Sequence, residues 1–342
     1  MDADPCIYKM GTDETLILLG IYVDDLILIS KDKKTLLDTK RCLSTQFRMK
    51  DLGPIHHCLG IEFKRNEKGF ELSQKKYIND VLERYNMKDC KPIRTPVEVG
   101  AKLNKPDKIS ELEMSKYPFR SLIGSLTYLS VATRPDLSYA VSSLRQFNNC
   151  YSEQHWKAAK RILRYLKGTQ NYTLRYEQAE KSLEGFVDAD WGNCIIDRKS
   201  YTGYAFIYGG AAISWEARKQ RTVAHSSVEA EYMALSDASK EAVYLRRFLA
   251  EIKGNQTCSP TVLWSDSQGA RRLVYNPVYH SRTKHIDIRH HYIREEIKKN
   301  EIKVEYMSSE EMTADVLTKP LSGDRHMFCS ELLGLIFNSD TS

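Results

Sequence analysis

Glu184-Gly-Phe-Val-Asp-Ala-Asp-Trp191 is the stretch that decides the fold, because an apolar strand pattern there carries acids on one face. Side chains alternate between the two faces of a β-strand, so Phe186, Asp188 and Asp190 share one face and Val187 lies on the other. A buried carboxylate needs a partner, because an unpaired charge is costly to remove from water. The stretch therefore predicts a strand that is built to hold a charge.

Three later segments of the chain each present one further acid. Glu231 lies on a predicted helix, Asp266 ends a predicted strand at residues 261–266, and Asp315 opens a short predicted helix at residues 312–317. Four acids that meet at one point repel one another unless cations lie between them, which is the arrangement of a two-metal phosphodiester site. A single Asp or Glu is more often a solvated surface group, so each acid alone also has that simpler interpretation.

The helix that carries Glu231 also distinguishes it from Glu229. This predicted helix, from residue 226 to 250, has an apolar stripe formed by Val228, Leu235, Ala238, Ala242, Leu245 and Leu249. At about 100° per residue, Glu231 lies near the middle of the stripe and Glu229 points away from it. Ser226 followed three residues later by Glu229 is the pattern of a capping box. We therefore expect Glu229 to cap the helix and Glu231 to face the core, where it needs a metal or a partner.

The composition is that of a globular protein. The 342 residues leave room for about two or three domains, and the chain is 42% hydrophobic and 28% charged. The net charge of +6 suits a polyanionic partner without requiring one. Eight cysteines form no Cys-x-x-Cys pair, which favours free thiols in a reducing compartment. With no secretion signal and no apolar run of membrane-spanning length, we expect an intracellular, cytoplasmic protein without a membrane partner.

Residues 15–30 are the first strong feature in chain order, because two apolar β-prone runs meet there at Asp24 and Asp25. This pattern predicts a β-hairpin with acids at its tip, although an Asp-Asp pair is also common in ordinary turns. Residues 31–50 follow as an amphipathic helix with a basic face. A turn, two strands and a helix are predicted over residues 50–82.

A basic helix is predicted at residues 152–167, after a proline-rich segment at 87–118, which is either a linker or an extended loop, and two other predicted helices. No acid follows Glu153 in this helix. Its five basic residues are Lys157, Lys160, Arg161, Arg164 and Lys167. A charge run is usually a solvated helix face, but five unopposed positive charges fit phosphate contact equally well. We expect these residues to bind nucleic acid.

Two groups of motifs resemble one family. Tyr22-Val-Asp-Asp25 between hydrophobic strands resembles the palm motif of reverse transcriptases, whose hairpin tip offers a carboxylate to catalytic metal ions. The C-terminal half reads as three strands joined by tight turns and then alternating helix and strand, which looks like the ribonuclease H fold. Its strings, among them Val187-Asp-Ala-Asp-Trp191 and Ala314-Asp-Val-Leu-Thr-Lys-Pro320, closely resemble the ribonuclease H of copia-type retrotransposon polyproteins.

The resemblance implies an α/β (α+β) architecture in four parts. Residues 1–90 would be the C-terminal part of the reverse transcriptase palm and residues 91–175 a helical thumb and connection. Residues 176–322 would be a ribonuclease H-like mixed-sheet domain, followed by a tail at 323–342. A polymerase also needs a carboxylate from an earlier palm strand, and the chain begins only 21 residues before Tyr22. We therefore expect the palm to be a truncated remnant that is inactive alone.

The same resemblance assigns the chemistry. The catalytic and metal-binding carboxylates would be Asp188, Glu231, Asp266 and Asp315, and the remaining palm metal ligands would be Asp24 and Asp25. Hard oxygen ligands suit two Mg²⁺ ions, with Mn²⁺ as an alternative. The implied reaction is hydrolysis of the RNA strand of an RNA–DNA hybrid, with RNA recognised through its 2′-hydroxyl. No histidine is assigned a role, and the oligomeric state is open.

Two other functions stay open on the sequence. The first is a non-catalytic, nucleic-acid-binding relic of a decayed retroelement, which would bind hybrids without cleaving them. The second is an unrelated hydrolase such as a glycosidase, which needs two acids and no metal. Insensitivity to EDTA would favour the second function.

Overall fold

The computed structural model describes residues 1–67, 69–106, 110–177, 182–254, 259–276 and 287–338, without the side chains of 13 and 287–290. Three β-sheets and ten α-helices lie within these ranges. The sequence also predicts a helix that begins at about residue 283; its start lies outside these ranges, as do the nearby His280 and His285. No helix in the described part of the chain combines the length and apolar character that crossing a membrane demands.

The N-terminal hairpin forms as predicted, with one additional strand. The sheet has the order β1-β2-β3, and its strands are antiparallel. The strands are β1 (Ile7–Met10), β2 (Ile17–Tyr22) and β3 (Asp25–Ser30). Helix α1 (Lys33–Gln46) follows and begins at Asp32, whose side chain accepts hydrogen bonds from two backbone N–H groups of the first turn.

A second sheet collects strands that are far apart in the sequence. Its order is β13-β7-β6-β5-β4, and all of its pairs are antiparallel. The strands are β4 (His57–Cys58), β5 (Ile61–Arg65), β6 (Gly69–Ser73), β7 (Tyr172–Glu177) and β13 (Leu335–Phe337). The first three come from the predicted palm. Strand β13 comes from the predicted tail at residues 323–342.

Five helices form an apolar core beside these sheets. They are α2 (Lys75–Arg84), α3 (Glu111–Ser115), α4 (Phe119–Ala132), α5 (Ser138–Arg145) and α6 (Glu153–Gly168). Their buried faces meet around fully buried residues such as Phe119, Leu126 and Leu163. The proline-rich linker packs against this core through Ile93 and Val97. This part of residues 87–118 is therefore packed as an extended loop, which is the second of the two predicted alternatives.

The C-terminal sheet has the mixed topology that the sequence predicts. Its order is β10-β9-β8-β11-β12. Strand β11 pairs in parallel with β8 and β12, and β9 pairs antiparallel with both β8 and β10. The strands are β8 (Glu184–Ala189), β9 (Tyr201–Tyr208), β10 (Ala211–Lys219), β11 (Thr261–Ser265) and β12 (Ile302–Tyr306). The helices are α7 (Ser227–Lys253), α8 (Gln268–Tyr275) and α9 (Asp287–Lys298).

Two layers cover opposite faces of this sheet. Helix α7 packs on the face that carries Val187, together with Leu263 and Val304. A 3₁₀ turn, Thr313–Leu317, packs on the other face, toward which Phe186 points. Helix α10 (Gly323–Leu332) adds Cys329 to that second layer. Residues 323–337 therefore belong to the packed structure, and the boundaries of the four predicted parts stay predictions.

Candidate active site

Asp188 lies near the end of β8, on the face that packs against the 313–317 turn. Its side chain is 2% exposed, and Thr318 Oγ1 donates a hydrogen bond to its Oδ2 atom. Lys319 Nζ lies 3.6 Å from the same oxygen. Burial raises the pKa of Asp188 to about 6, although the Lys319 charge opposes this shift. The strand thus holds a buried carboxylate beside a cation.

Glu229 and Glu231 have the different surroundings that the helix pattern predicts. Ser226 Oγ accepts a hydrogen bond of 3.1 Å from Glu229 N–H, and Glu229 Oε2 accepts one of 2.8 Å from His225 N–H. The Oε2 atom of Glu231 is buried and accepts no hydrogen bond from any residue that the structure describes. Burial and the charges of Asp188 and Asp266 raise the pKa of Glu231 well above its usual range.

The predicted capping box is only partly reproduced, because Ser226 accepts from Glu229 N–H while the Glu229 carboxylate accepts from His225, the residue before the N-cap. Glu229 lies off the apolar stripe and is nevertheless buried, since it is 7% exposed, as is Glu231. The residues before α7 fold against its first turn and cover Glu229 through the His225 contact. Apolar periodicity predicts the side of a helix that faces the core. It does not predict that the preceding loop covers another side.

Three of the four predicted acids come together. One carboxylate oxygen from each of Asp188, Glu231 and Asp266 lies within 4.8 Å of the others. Asp266 directly follows β11, the parallel neighbour of β8, so both strands deliver an acid to the same edge of the sheet. Ser309 Oγ donates a hydrogen bond of 2.8 Å to Asp266 Oδ2. An all-oxygen donor set with one unsatisfied buried oxygen fits a hard divalent cation such as Mg²⁺.

Asp315 lies beside this group but outside it. Its two carboxylate oxygens pair with two cations, Lys319 Nζ at 2.7 Å and Arg325 Nη2 at 3.1 Å. Arg325 also donates to the backbone carbonyls of Ser309 at 2.8 Å and Met312 at 3.1 Å. The same arginine therefore holds Asp315 and the loop that carries the Ser309 contact to Asp266.

Several residues of this neighbourhood are absent from the sequence prediction. Gly203 lies opposite Asp188 in the strand register, and a Cβ atom there would come within 2.7 Å of Leu317 Cβ and Thr318 Cγ2. A glycine therefore lets the 313–317 turn approach the sheet. Lys319 follows Asp315 by four residues, a spacing that signals a pair in a helical turn. Arg325 carries no comparable signal.

Asp190, which shares a face with Asp188, has a structural role. It accepts hydrogen bonds from the backbone N–H groups of Asn193, at 3.2 Å, and Tyr201. Burial raises its pKa to about 6, although these hydrogen bonds oppose the shift. It holds the loop between β8 and β9 and lies outside the group of three acids.

The two acids predicted for the palm are placed differently from the group of three acids. Asp24 and Asp25 lie at the tip of the β2–β3 hairpin and are exposed. Within the described ranges, no third His, Cys, Asp or Glu groups with them at metal-binding distance. Val23, beside them, has a φ of 53°, a conformation that is strained for a β-branched residue.

The basic residues of α6 contact groups within the helix and groups in the linker. Lys157 pairs with Glu153 at 2.8 Å, and Lys160 Nζ lies 6.0 Å from the centre of the Trp156 ring. Arg161 Nη2 donates to Thr95 Oγ1 at 3.0 Å.

The linker also accounts for the remaining arginine contacts. Arg161 lies 3.8 Å from Glu98, and Arg164 Nε donates to Lys91 O at 2.8 Å. The five charges are therefore not unopposed, because Glu153 pairs with Lys157 and the linker brings Glu98 to Arg161. Two of the five help to hold the linker, and nucleic-acid binding by the set stays a prediction.

The chain is similar to a reverse transcriptase family and to retrotransposon Pol polyproteins. A family model described as reverse transcriptase (RNA-dependent DNA polymerase) matches residues 1–99. The chain is 43% identical over 343 residues to the retrovirus-related Pol polyprotein from transposon TNT 1-94 of Nicotiana tabacum, covering 98% of this chain and 26% of that protein. The chain spans about a quarter of the length of the curated Pol polyproteins that it matches.

Solved structures are similar at lower identity. A foamy viral protease-reverse transcriptase in complex with dsDNA gives a TM-score of 0.42 at 13% identity, covering 85% of this chain and 55% of that chain. LC11-RNase H1 in complex with an RNA/DNA hybrid gives a TM-score of 0.31 at 13% identity, covering 40% of this chain and 94% of that chain.

Proposed function

The chain belongs to the copia-type retrotransposon Pol polyproteins, and from that premise we propose that its C-terminal half is a ribonuclease H. It would cleave the RNA strand of RNA–DNA hybrids. The observation that carries this proposal is the meeting of Asp188, Glu231 and Asp266, which come from three separate elements. A glycosidase pair would not require a third acid at the same point.

These three carboxylates would hold Mg²⁺ or Mn²⁺, which when bound would activate water and neutralise charge at the scissile phosphate. The chain's own residues prepare the site. Thr318 orients Asp188, and Ser309 orients Asp266. Glu231 presents a buried oxygen that no group in the described ranges satisfies. Asp315 supports the site through Lys319 and Arg325 and acts as the fourth acid in our assignment.

We propose that the predicted palm, residues 1–90, has no polymerase activity in this chain alone. A phosphoryl-transfer site needs converging carboxylates, and within the described ranges Asp24 and Asp25 have no third acid beside them. The hairpin would still contribute the metal ligands of a palm in a longer polyprotein. Templated primer extension by the purified 342-residue chain would contradict this part of the proposal.

The nuclease is tested with an RNA–DNA hybrid that carries a label on the RNA strand. The expected result is cleavage of that RNA with Mg²⁺, loss of cleavage in EDTA, and no cleavage of a DNA duplex. Asp188→Asn should reduce the rate by orders of magnitude, because it removes one metal-binding charge.

An exposed acid provides the matched control. Asp38→Asn, on the surface of α1, changes the net charge by the same amount as Asp188→Asn and should leave cleavage unchanged. Hybrid binding without any cleavage would support the relic instead, and cleavage that persists in EDTA would rule out the proposed metal site.

A further inference from the structure

Lys319 places a cation beside the group of three acids. Its Nζ atom lies 2.7 Å from Asp315 Oδ1 and 3.6 Å from Asp188 Oδ2, so it bridges the fourth acid and one member of the group. Both carboxylates are buried, with side-chain exposures of 8% and 2%. A charge between two buried carboxylates relieves a repulsion that would otherwise oppose folding.

We propose that Lys319 is an internal counter-cation, which stabilises the acidic cluster without metal and weakens metal binding to it. This inference rests on the proposed function, since it presumes a metal site at Asp188, Glu231 and Asp266. Lys319 is a positioning residue, because it acts through the carboxylates. Its role differs from that of Arg325, which contacts Asp315 and backbone carbonyls.

The physical argument is competition for one carboxylate. Asp188 Oδ2 already faces the ammonium group of Lys319 and accepts a hydrogen bond from Thr318. A divalent cation that binds Asp188 must share that charge with Lys319 and is itself repelled by the ammonium group. The side chain of Lys319 is 34% exposed and nearly all of Asp188 is buried, so screening by solvent is incomplete.

The test compares Lys319→Met with Lys299→Met in the full chain. Lys299 pairs with the buried Glu296 at 2.7 Å, so the control removes the same charge from another buried acid. Metal-free thermal unfolding and calorimetric titration with Mg²⁺ and Mn²⁺ are measured for each protein. We expect Lys319→Met to lower the metal-free Tm by several degrees and to tighten metal binding at least threefold. Lys299→Met should leave the metal affinity unchanged.

The outcomes separate this inference from the proposed function. A wild-type chain that binds neither metal overturns the proposed metal site itself. A wild-type chain that binds metal, with equal or weaker binding by Lys319→Met, overturns only the counter-cation role, because Lys319 would then merely position the acids. Lys319→Arg should restore both properties toward the wild type.

A second variant covers the case of misfolding. If Lys319→Met does not fold without metal, Lys319→Gln must show the same direction of change. According to the proposal, the metal-loaded protein does not need the contacts of Lys319. If both variants failed to fold even at saturating metal, the proposal would therefore be overturned.

Discussion

At the scale of single residues, the electrostatic balance of Glu231 leads to a direct prediction. Its carboxylate is buried near two other acids, and one of its oxygens has no hydrogen-bond partner among the described residues. Glu231→Gln keeps the shape and removes the charge, so the metal-free protein should become more stable toward urea. Cleavage with Mg²⁺ should fall by orders of magnitude, because a metal-binding charge is lost. Urea unfolding and the hybrid assay measure the two effects.

Glu229→Ala is the natural comparison for Glu231→Gln. It removes the side chain that accepts from His225 N–H at the start of α7. The expected cost is about 1 kcal/mol of unfolding free energy, with cleavage largely retained. If Glu229 proved essential and Glu231 dispensable for cleavage, the site would have to be redrawn around Glu229.

His155, at the start of α6, predicts a dependence of stability on pH. Burial lowers its pKa to about 4, against about 6.5 in an unfolded chain. The unfolded state therefore binds more protons between these two pH values. The contribution of neutral His155 is complete above about pH 6.5 and is lost as the pH falls toward 4.

The size of the His155 effect should be roughly 2–3 kcal/mol of unfolding free energy. Urea unfolding of the wild type and of His155→Gln between pH 4 and 7.5 measures it, because the variant lacks the titrating imidazole. The exposed His57 supplies the control, since His57→Gln should keep the wild-type slope. A His155→Gln protein with the wild-type slope would show that the buried imidazole does not titrate in this way.

At the scale of elements, the approach of the 313–317 turn to β9 depends on Gly203. An added methyl group would meet Leu317 and Thr318 at 2.7 Å, so Gly203→Ala should displace the turn that carries Asp315. We expect a loss of about 1–3 kcal/mol in unfolding free energy and a lower rate of hybrid cleavage.

A second glycine separates this steric effect from conformational entropy. Gly124 lies in α4 with no atom within 4 Å of an added Cβ. Gly124→Ala should therefore stabilise the protein by about 0.5–1 kcal/mol and leave cleavage unchanged. A Gly203→Ala protein that unfolded and cleaved like the wild type would show that the turn tolerates the extra methyl group.

At the scale of the whole molecule, a buried polar network joins the helical core to the C-terminal segment. Arg134 and Asp136 pair at 2.7 Å with side-chain exposures of 1% and 0%. Tyr165 Oη donates a hydrogen bond of 2.7 Å to Asp136 Oδ2. The Nε2 atom of His326, in α10, lies 3.3 Å from the backbone oxygen of Asp136. Trp215 of β10 donates to Ser130 O at 2.7 Å. These contacts connect α4–α6 with the sheet that carries the acids.

This organisation changes how nucleic-acid binding by α6 should be tested. Arg161 and Arg164 hold the linker, so substitutions there would disturb packing as well as charge. Lys157→Gln with Lys160→Gln should weaken hybrid binding about tenfold in moderate salt. It should also make the plot of log affinity against log salt shallower by about one to two, as lost phosphate contacts require.

A double variant of two other paired lysines provides the matched control. Lys88 and Lys240 pair with surface acids at 3.9 and 3.5 Å, and their replacement by Gln changes the net charge equally. Hybrid affinity measured across a salt series should respond only to the α6 variant. An unchanged salt slope for that variant would make α6 an ordinary solvated helix face.

By itself the sequence determined the local structure and much of the site. Alternation of side chains predicted β8, two apolar runs predicted the β2–β3 hairpin, and helical periodicity predicted that Glu231 faces the core. The structure brings together Asp188, Glu231 and Asp266, three of the four predicted acids, while the catalytic role of all four stays a prediction. These local features can be predicted from the sequence, because residues a few positions apart determine which face of a helix or strand is buried.

Only the tertiary structure decided which elements meet. It brought Thr318 to Asp188 across 130 positions, supplied Glu98 against Arg161, and made the segment from residue 323 a support of Asp315 through Arg325. Local periodicity reports that a face is buried, but it does not identify what packs there. The partners of a buried charge are set by packing between distant segments, and that packing has no period in the sequence.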